Sequence, residues 1–219
     1  MSRSSRALLL GAVIATPLFV ALWAVQAFTR EGFRPTYHPM SLLSLGDFGW
    51  VQILNFIVTG MLVIGGGIGL GRTLEPGRLT RWGTTLIVLM GIGLVVAGVF
   101  VTDPGAGFPA GAPEGAPVMS WHGAAHEVGF VLTQVADGLF TYFGIKMFGA
   151  AIEGNPLVAW YVVAYGAGVA VVGAKGLALA CGAALHLRAM HRTIGALTLI
   201  YLTAAVWPWF QIFTGAVAP

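Results

Sequence analysis

The sequence predicts an all-α integral membrane protein built as one bundle of six transmembrane helices. Hydrophobic residues make up 57% of its 219 residues and charged residues only 9%, whereas a soluble domain carries about 25% charged residues. The mean hydropathy is +0.85. Because a helix needs roughly 20 apolar residues to cross the hydrocarbon core of a bilayer, the chain is long enough for six spans with short connections and for no separate soluble domain.

The six predicted spans are apolar stretches separated by polar or Gly/Pro-containing segments. The first stretch is too long for the apolar core of a signal peptide, which has roughly 7–15 residues, so it is predicted to remain as a helix. Glycines within the second and third stretches are predicted to let neighbouring helices approach closely. The predicted spans are residues 7–28, 50–71, 82–101, 121–146, 157–184 and 193–213.

Basic residues are distributed unevenly between the two ends of the predicted bundle. Six lie at the end that carries the N-terminus and four at the opposite end: Arg3, Arg6, Arg72, Arg78, Arg81 and Lys146 against Arg30, Arg34, Arg188 and Arg192. Because the end richer in Lys and Arg stays in the cytoplasm, both termini are predicted to be cytoplasmic in a protein of the cell membrane. The same bias explains the net charge of +3, which therefore calls for no nucleic-acid partner.

All the histidines fall at the predicted outer end, close to a Gly/Pro-rich loop over residues 103–121. A pair of haems stacked across a bilayer would need histidines at both ends of the bundle, so this distribution disfavours haem. The single cysteine, Cys181, can form no intramolecular disulfide and leaves the redox compartment open. The five histidines are His38, His122, His126, His186 and His191.

His122 and His126 are spaced i, i+4 and point in the same direction on a helix, as two imidazoles that share a metal ion do. His38 lies on a loop at the same end and is the candidate third ligand of a zinc ion. Asp103 or Glu127 would then act as general base to a metal-bound water. A bare His-x-x-x-His pattern is common, however, and equally predicts a hydrogen-bonded polar cluster that closes the outer ends of the helices.

Three ionisable residues lie inside predicted spans, where an unpaired charge costs several kcal/mol. The rise of ~1.5 Å per residue places Glu127 and Lys175 at similar depths, so they are predicted to form a pair, with Lys175 as a ligand-facing cation the alternative. Asp137 is too deep to join them. It is predicted to meet hydroxyl groups such as those of Tyr161 or Tyr165, or to lie on a path for ions or protons.

Arg188 and Arg192 repeat the i, i+4 spacing at the outer end. Two guanidinium groups on one helix face could bind a phosphate together. They would equally serve as anchors to the headgroups of the bilayer.

Several short segments together resemble a known family of membrane proteins. These are His38–Gly46 (HPMSLLSLG), Gly49–Phe56 (GWVQILNF) with Gly60, Asp103-Pro104, and Gly123–His126. They are similar to the family catalogued as domain of unknown function 998, six-span bacterial and archaeal membrane proteins without a settled activity. The resemblance implies the six-span architecture and supplies no reaction.

The residues leave enzyme and non-enzyme functions open. The leading hypothesis is a metal-dependent hydrolase that acts on a lipid-like substrate in an outward-facing, histidine-rich pocket. One alternative is a non-catalytic carrier or binding protein for a small molecule or ion that uses Lys175, Glu127 and Asp137 along a path through the bundle. Another is a structural subunit of a larger membrane complex.

Overall fold

The computed structural model of the chain describes residues 1–150, 153 and 156–187. This part of the chain is helical and contains no β-strand, which confirms the predicted all-α class there. A short 3₁₀ helix, Met40–Ser44, lies between the first two α-helices. The α-helices are α1 (Arg3–Thr29), α2 (Gly49–Thr73), α3 (Arg78–Val99), α4 (Trp121–Phe148), α5 (Pro156–Tyr165) and α6 (Ala167–Leu187).

Helices α1 to α4 are long and apolar enough to cross a membrane. They correspond to the first four predicted spans, and their ends differ from the predicted ones by at most four residues. The largest differences are at the starts of α1 and α3, where basic residues that were expected to flank the spans belong to the first helical turn. The membrane-protein class and four of the spans therefore agree with the sequence prediction.

The fifth predicted span is interrupted at Gly166, which corrects the expectation of one continuous helix over residues 157–184. Helix α5 ends at Tyr165 and α6 begins at Ala167. Gly166 between them has φ +84°, and its N–H donates to the carbonyl of Val162 at 2.8 Å. A left-handed glycine that returns a hydrogen bond in this way is a common helix terminus. The sixth span lies outside the described residues, so the number of six transmembrane helices stays a prediction, and so does the cytoplasmic location of the termini.

The chain divides into two compact units, Met1–Phe140 and Thr141–Pro219. In the described part of the second unit, α5 and α6 contribute to a small core around Ile145, Val162 and Ala170. The first unit contains α1, α2, α3 and most of α4, and it carries the predicted site residues His38, Asp103, His122 and His126.

Glycines bring the backbones of neighbouring helices in the first unit into direct contact. A Cβ atom built on Gly60 of α2 would lie 2.6 Å from the carbonyl oxygen of Gly91 on α3, and one built on Gly91 would meet the Gly60 carbonyl at the same distance. Gly93 of α3 and Gly129 of α4 face each other similarly, at 2.6 and 2.7 Å. Small residues favour association of membrane helices because they permit this close approach.

Consecutive helices of the first unit run antiparallel, so the α1–α2 and α3–α4 connections lie at the same end. We call these two connections, residues 30–48 and 100–120, the cap. The rings of Phe33 and Phe108, one from each connection, meet edge to face with centroids 5.4 Å apart. The apolar cluster of the cap consists of Ala27, Phe33, Leu42, Leu43 and Phe108.

Candidate functional site

His38 uses both of its ring nitrogens in hydrogen bonds to the backbone, and one of these bonds joins the two connections of the cap. Its Nδ1 accepts a hydrogen bond from the backbone N–H of Arg34 at 2.9 Å. The proton must then reside on Nε2, which lies 3.1 Å from the carbonyl oxygen of Ala106 in the other connection and donates to it. Burial lowers the pKa of His38, against the opposing effect of the bond to Ala106. The imidazole is therefore a neutral crosslink with neither nitrogen free for a metal ion.

Asp103 closes the N-terminus of α4. Its Oδ2 accepts the backbone N–H of Ser120 at 2.7 Å, and the Ser120 hydroxyl oxygen accepts the N–H of Gly123 at 3.1 Å. Hydrogen bonds from the Ser120 hydroxyl and then from its N–H hold the pKa of the Asp103 carboxyl below its ordinary range. A carboxylate stabilised in this way is a weak proton acceptor, which argues against Asp103 as a general base.

His122 and His126 point in the same direction, as their spacing predicts, but they face the C-terminal end of α3. Nδ1 of His126 lies 2.8 Å from the carbonyl oxygen of Ala97 and 2.9 Å from that of Phe100. Nδ1 of His122 lies 3.0 Å from the carbonyl oxygen of Val101. A histidine ring nitrogen can hydrogen-bond to a carbonyl oxygen only as an N–H donor, so both Nδ1 atoms carry a proton and donate. The two histidines therefore satisfy carbonyl groups that the end of a helix leaves without partners.

The predicted metal ligands do not form one group. Asp103 and His122 approach each other, with Oδ1 and Nδ1 3.9 Å apart, and 45% of the His122 side chain is exposed. Within the part of the chain that the structure describes, no three His, Cys, Asp or Glu side chains are placed to hold a metal ion. Zinc binding by His38, His122 and His126 gains no support and stays a prediction.

The other predicted site residues lie away from the cap or outside the described structure. Glu127 is exposed on α4, and Asp137 is half-buried further along the same helix. The side chain of Lys175 is not among those described, and neither are Arg188 and Arg192. The Glu127–Lys175 pair, the hydroxyl partners of Asp137 and the arginine phosphate site therefore stay predictions.

A second polar group lies between α1 and α2, where the sequence analysis assigned no site. Gln26 of α1 is 5% exposed, and Gln52, Asn55 and Thr59 of α2 are 0%, 1% and 4% exposed. We call these four residues the amide cluster. The three on α2 follow an i, i+3, i+7 spacing and so share one helix face. That spacing of polar residues within an apolar span was the feature of the sequence that could have revealed the cluster.

The hydrogen bonds of the amide cluster fix the orientation of its three amides. Gln26 donates from Nε2 to the carbonyl of Leu22 at 3.1 Å, and Asn55 donates from Nδ2 to the carbonyl of Phe19 at 3.0 Å. The same two nitrogens donate to Oε1 of Gln52, at 2.8 and 3.3 Å. Because the two carbonyls accept only, exchanging oxygen and nitrogen in either donor amide would break these bonds.

One polar atom of each residue in the cluster is left without a partner among the described residues: Gln26 Oε1, Gln52 Nε2, Asn55 Oδ1 and Thr59 Oγ1. Buried polar atoms in native proteins nearly always have a partner, and each one left unpaired costs about 1–3 kcal/mol. The described part of the first unit has two further atoms of this kind, Trp23 Nε1 and Ser44 Oγ, so the amide cluster holds the largest group of them.

Comparison with known proteins identifies the family. The model of the family described as protein of unknown function (DUF998) matches residues 13–143, more than half of the chain. The C-terminal part is also similar to a domain of unknown function (DUF5658) over residues 128–214. No curated protein and no solved structure matches the chain. The chain belongs to the DUF998 family, as the resemblance of its short segments implied.

Proposed function

We propose that this member of the DUF998 family is a non-catalytic membrane protein of the binding or carrier class, which takes a small molecule into the amide cluster. The observation that carries the proposal is the set of four unpaired polar atoms on Gln26, Gln52, Asn55 and Thr59. Lipid tails supply no hydrogen-bond partners. A polar molecule between α1 and α2 would supply them.

The cap supports a binding function better than a hydrolytic one. A zinc-dependent hydrolase needs imidazole nitrogens with free lone pairs and a carboxylate ready to accept a proton. His38 uses both nitrogens in hydrogen bonds to the backbone, and Asp103 is stabilised as an anion by Ser120. Hydrogen bonds of this kind support the alternative to a metal site, a polar cluster that closes the outer ends of the helices.

The amide cluster lies directly beneath the cap. Trp23 is on α1, three residues before Gln26 and hence on the same helix face. It packs against the apolar cluster of the cap, and its indole Nε1 is also buried without a partner among the described residues. Trp23 is one helical turn farther from the cap than Gln26, so its N–H and the amides of Gln26 and Gln52 together form one polar stretch beneath the cap.

Thiol labelling tests whether small molecules reach the cluster. Thr59→Cys, made in a Cys181→Ser background and reconstituted in lipid nanodiscs, is expected to react with the small neutral reagent methyl methanethiosulfonate. The matched control is Phe56→Cys, since Phe56 is also buried on α2, at 6% exposure, but is apolar. A thiol in a polar, hydrated site ionises and reacts more readily than one in an apolar site.

We expect Thr59→Cys to react at least about tenfold faster than Phe56→Cys. Mass spectrometry of the intact protein measures the rate of each modification. Equal rates would show that the reagent arrives through the lipid and not through a polar site, and no reaction at position 59 would show that the cluster is closed. Either result would refute the proposed binding function.

A further inference from the structure

We infer that the amide cluster binds an uncharged solute that both donates and accepts hydrogen bonds, of the primary amide or urea type. The inference rests on the proposed binding function and adds the chemical class of the ligand. Three observations carry it: the absence of charge in the cluster, the mixture of donors and acceptors left unpaired, and the buried, unpaired hydroxyl of Thr59.

The side chains of the amide cluster are all neutral. The next basic residue along the chain, Arg30, lies in the cap, where its guanidinium donates to the carbonyls of Leu43 and Leu45 at 3.3 and 2.6 Å. An ion moved into a site without an opposite charge loses its hydration without compensation. An uncharged solute is therefore the ligand that this site can accept.

The unpaired atoms require a ligand with both kinds of hydrogen-bonding group. Gln26 Oε1 and Asn55 Oδ1 can only accept, whereas Gln52 Nε2 can only donate. A primary amide carries two N–H donors and one carbonyl acceptor, which is the complement of these three atoms. Urea has the same carbonyl and more N–H groups. An ether or a tertiary amide has no N–H and would leave both acceptors of the cluster unpaired.

The Thr59 hydroxyl differs from those of four other threonines in the helices. Thr29, Thr73, Thr84 and Thr133 each donate their hydroxyl to the carbonyl four residues earlier, at 2.6–3.0 Å, as is usual for threonine in membrane helices. The Thr59 hydroxyl makes no such bond and is buried without a partner in the described structure. Ten residues after the start of α2 at Gly49, it lies ~15 Å along the helix. The polar face thus continues from the amides to mid-helix.

Protection from thiol labelling tests the ligand class with matched probes. The rate at which methyl methanethiosulfonate modifies Thr59→Cys, in the Cys181→Ser background in nanodiscs, is measured with acetamide, N,N-dimethylacetamide or acetate present. The three probes have similar shapes. Dimethylacetamide lacks the N–H donors, and acetate carries a charge. A bound probe lowers the rate in proportion to 1 + [L]/Kd, so about threefold slowing corresponds to a probe at about twice its Kd.

Acetamide is expected to slow the labelling at least about threefold, and the other two probes to leave the rate unchanged. Gln52→Met, which removes the unpaired donor at similar length, is expected to abolish the protection. If that variant does not fold, the comparison of the three probes on Thr59→Cys alone tests the ligand class. Equal protection by all three probes, or fast labelling that no probe slows, would overturn the inferred ligand class, the latter because acetamide then does not occupy the site. In either of these two outcomes, rapid labelling of Thr59→Cys would still support the proposed binding function. Absence of labelling would refute that function itself.

Discussion

Replacement of Gly60 by alanine is expected to lower the free energy of unfolding by about 1–3 kcal/mol, the cost of forcing extra volume into a packed interface. The added Cβ would lie 2.6 Å from the carbonyl oxygen of Gly91, 2.7 Å from Val95 Cγ2 and 3.0 Å from the Val95 backbone nitrogen. Two of these three atoms belong to the backbone of α3 and cannot rotate away, so the helices must separate. Thermal or denaturant unfolding of the protein in detergent micelles measures the change.

Gly83→Ala is the matched control for this substitution. Gly83 likewise lies inside a long helix, α3, but the nearest atom to its added Cβ is Phe140 Cε2 at 3.9 Å, an ordinary contact. This variant is expected to be neutral or slightly more stable, because alanine favours the helix by about 1 kcal/mol relative to glycine. If the two variants lost equal stability, the contact between the α2 and α3 backbones would not be the cause.

His126→Ala is expected to lower the free energy of unfolding by about 2–4 kcal/mol. The substitution removes the donor to the carbonyl oxygens of Ala97 and Phe100, and it leaves a void where the imidazole meets the ring of Phe56, with centroids 6.1 Å apart. Unfolding is measured in metal-free buffer and again with excess zinc, so that a structural role and a ligand role give different results.

His122→Ala provides the comparison. The His122 side chain is 45% exposed, so water can replace its bond to the carbonyl of Val101 and the expected loss is below about 1 kcal/mol. Neither loss is expected to depend on zinc. Zinc could instead stabilise the wild-type protein and fail to stabilise either variant. That result would support the predicted metal site and contradict a role limited to hydrogen bonds with the carbonyl oxygens at the end of α3.

Helices α1 to α4 were predictable because length and hydropathy are properties of the local sequence. The break at Gly166 was not, because a glycine in an apolar run also serves helix packing, as Gly60 does, and only the backbone conformation distinguishes the two uses. The positive φ of Gly166 depends on how α5 and α6 pack against each other, which the local sequence does not specify.

The helix face on which His122 and His126 lie was predictable, but the groups to which they hydrogen-bond were not. The i, i+4 spacing fixes the face on which His122 and His126 lie, but an imidazole turned towards a metal ion and one turned towards a carbonyl oxygen have the same spacing. The amide cluster was missed for a different reason. Gln52 and Asn55 are neutral, so patterns of charged and metal-binding residues do not include them. Their amides nevertheless need hydrogen-bond partners when they are buried in a membrane protein, as charged groups do.

An experimental density map of the protein in a lipid nanodisc, at a resolution that reveals ordered small molecules, tests the proposed binding site most directly. We expect non-protein density between α1 and α2, at hydrogen-bond distance of about 2.7–3.2 Å from Gln52 Nε2 and Asn55 Oδ1, and stronger density when acetamide is added. Amides of Gln26, Gln52 and Asn55 fully paired with other protein groups, with no density between the helices, would contradict the proposed binding site.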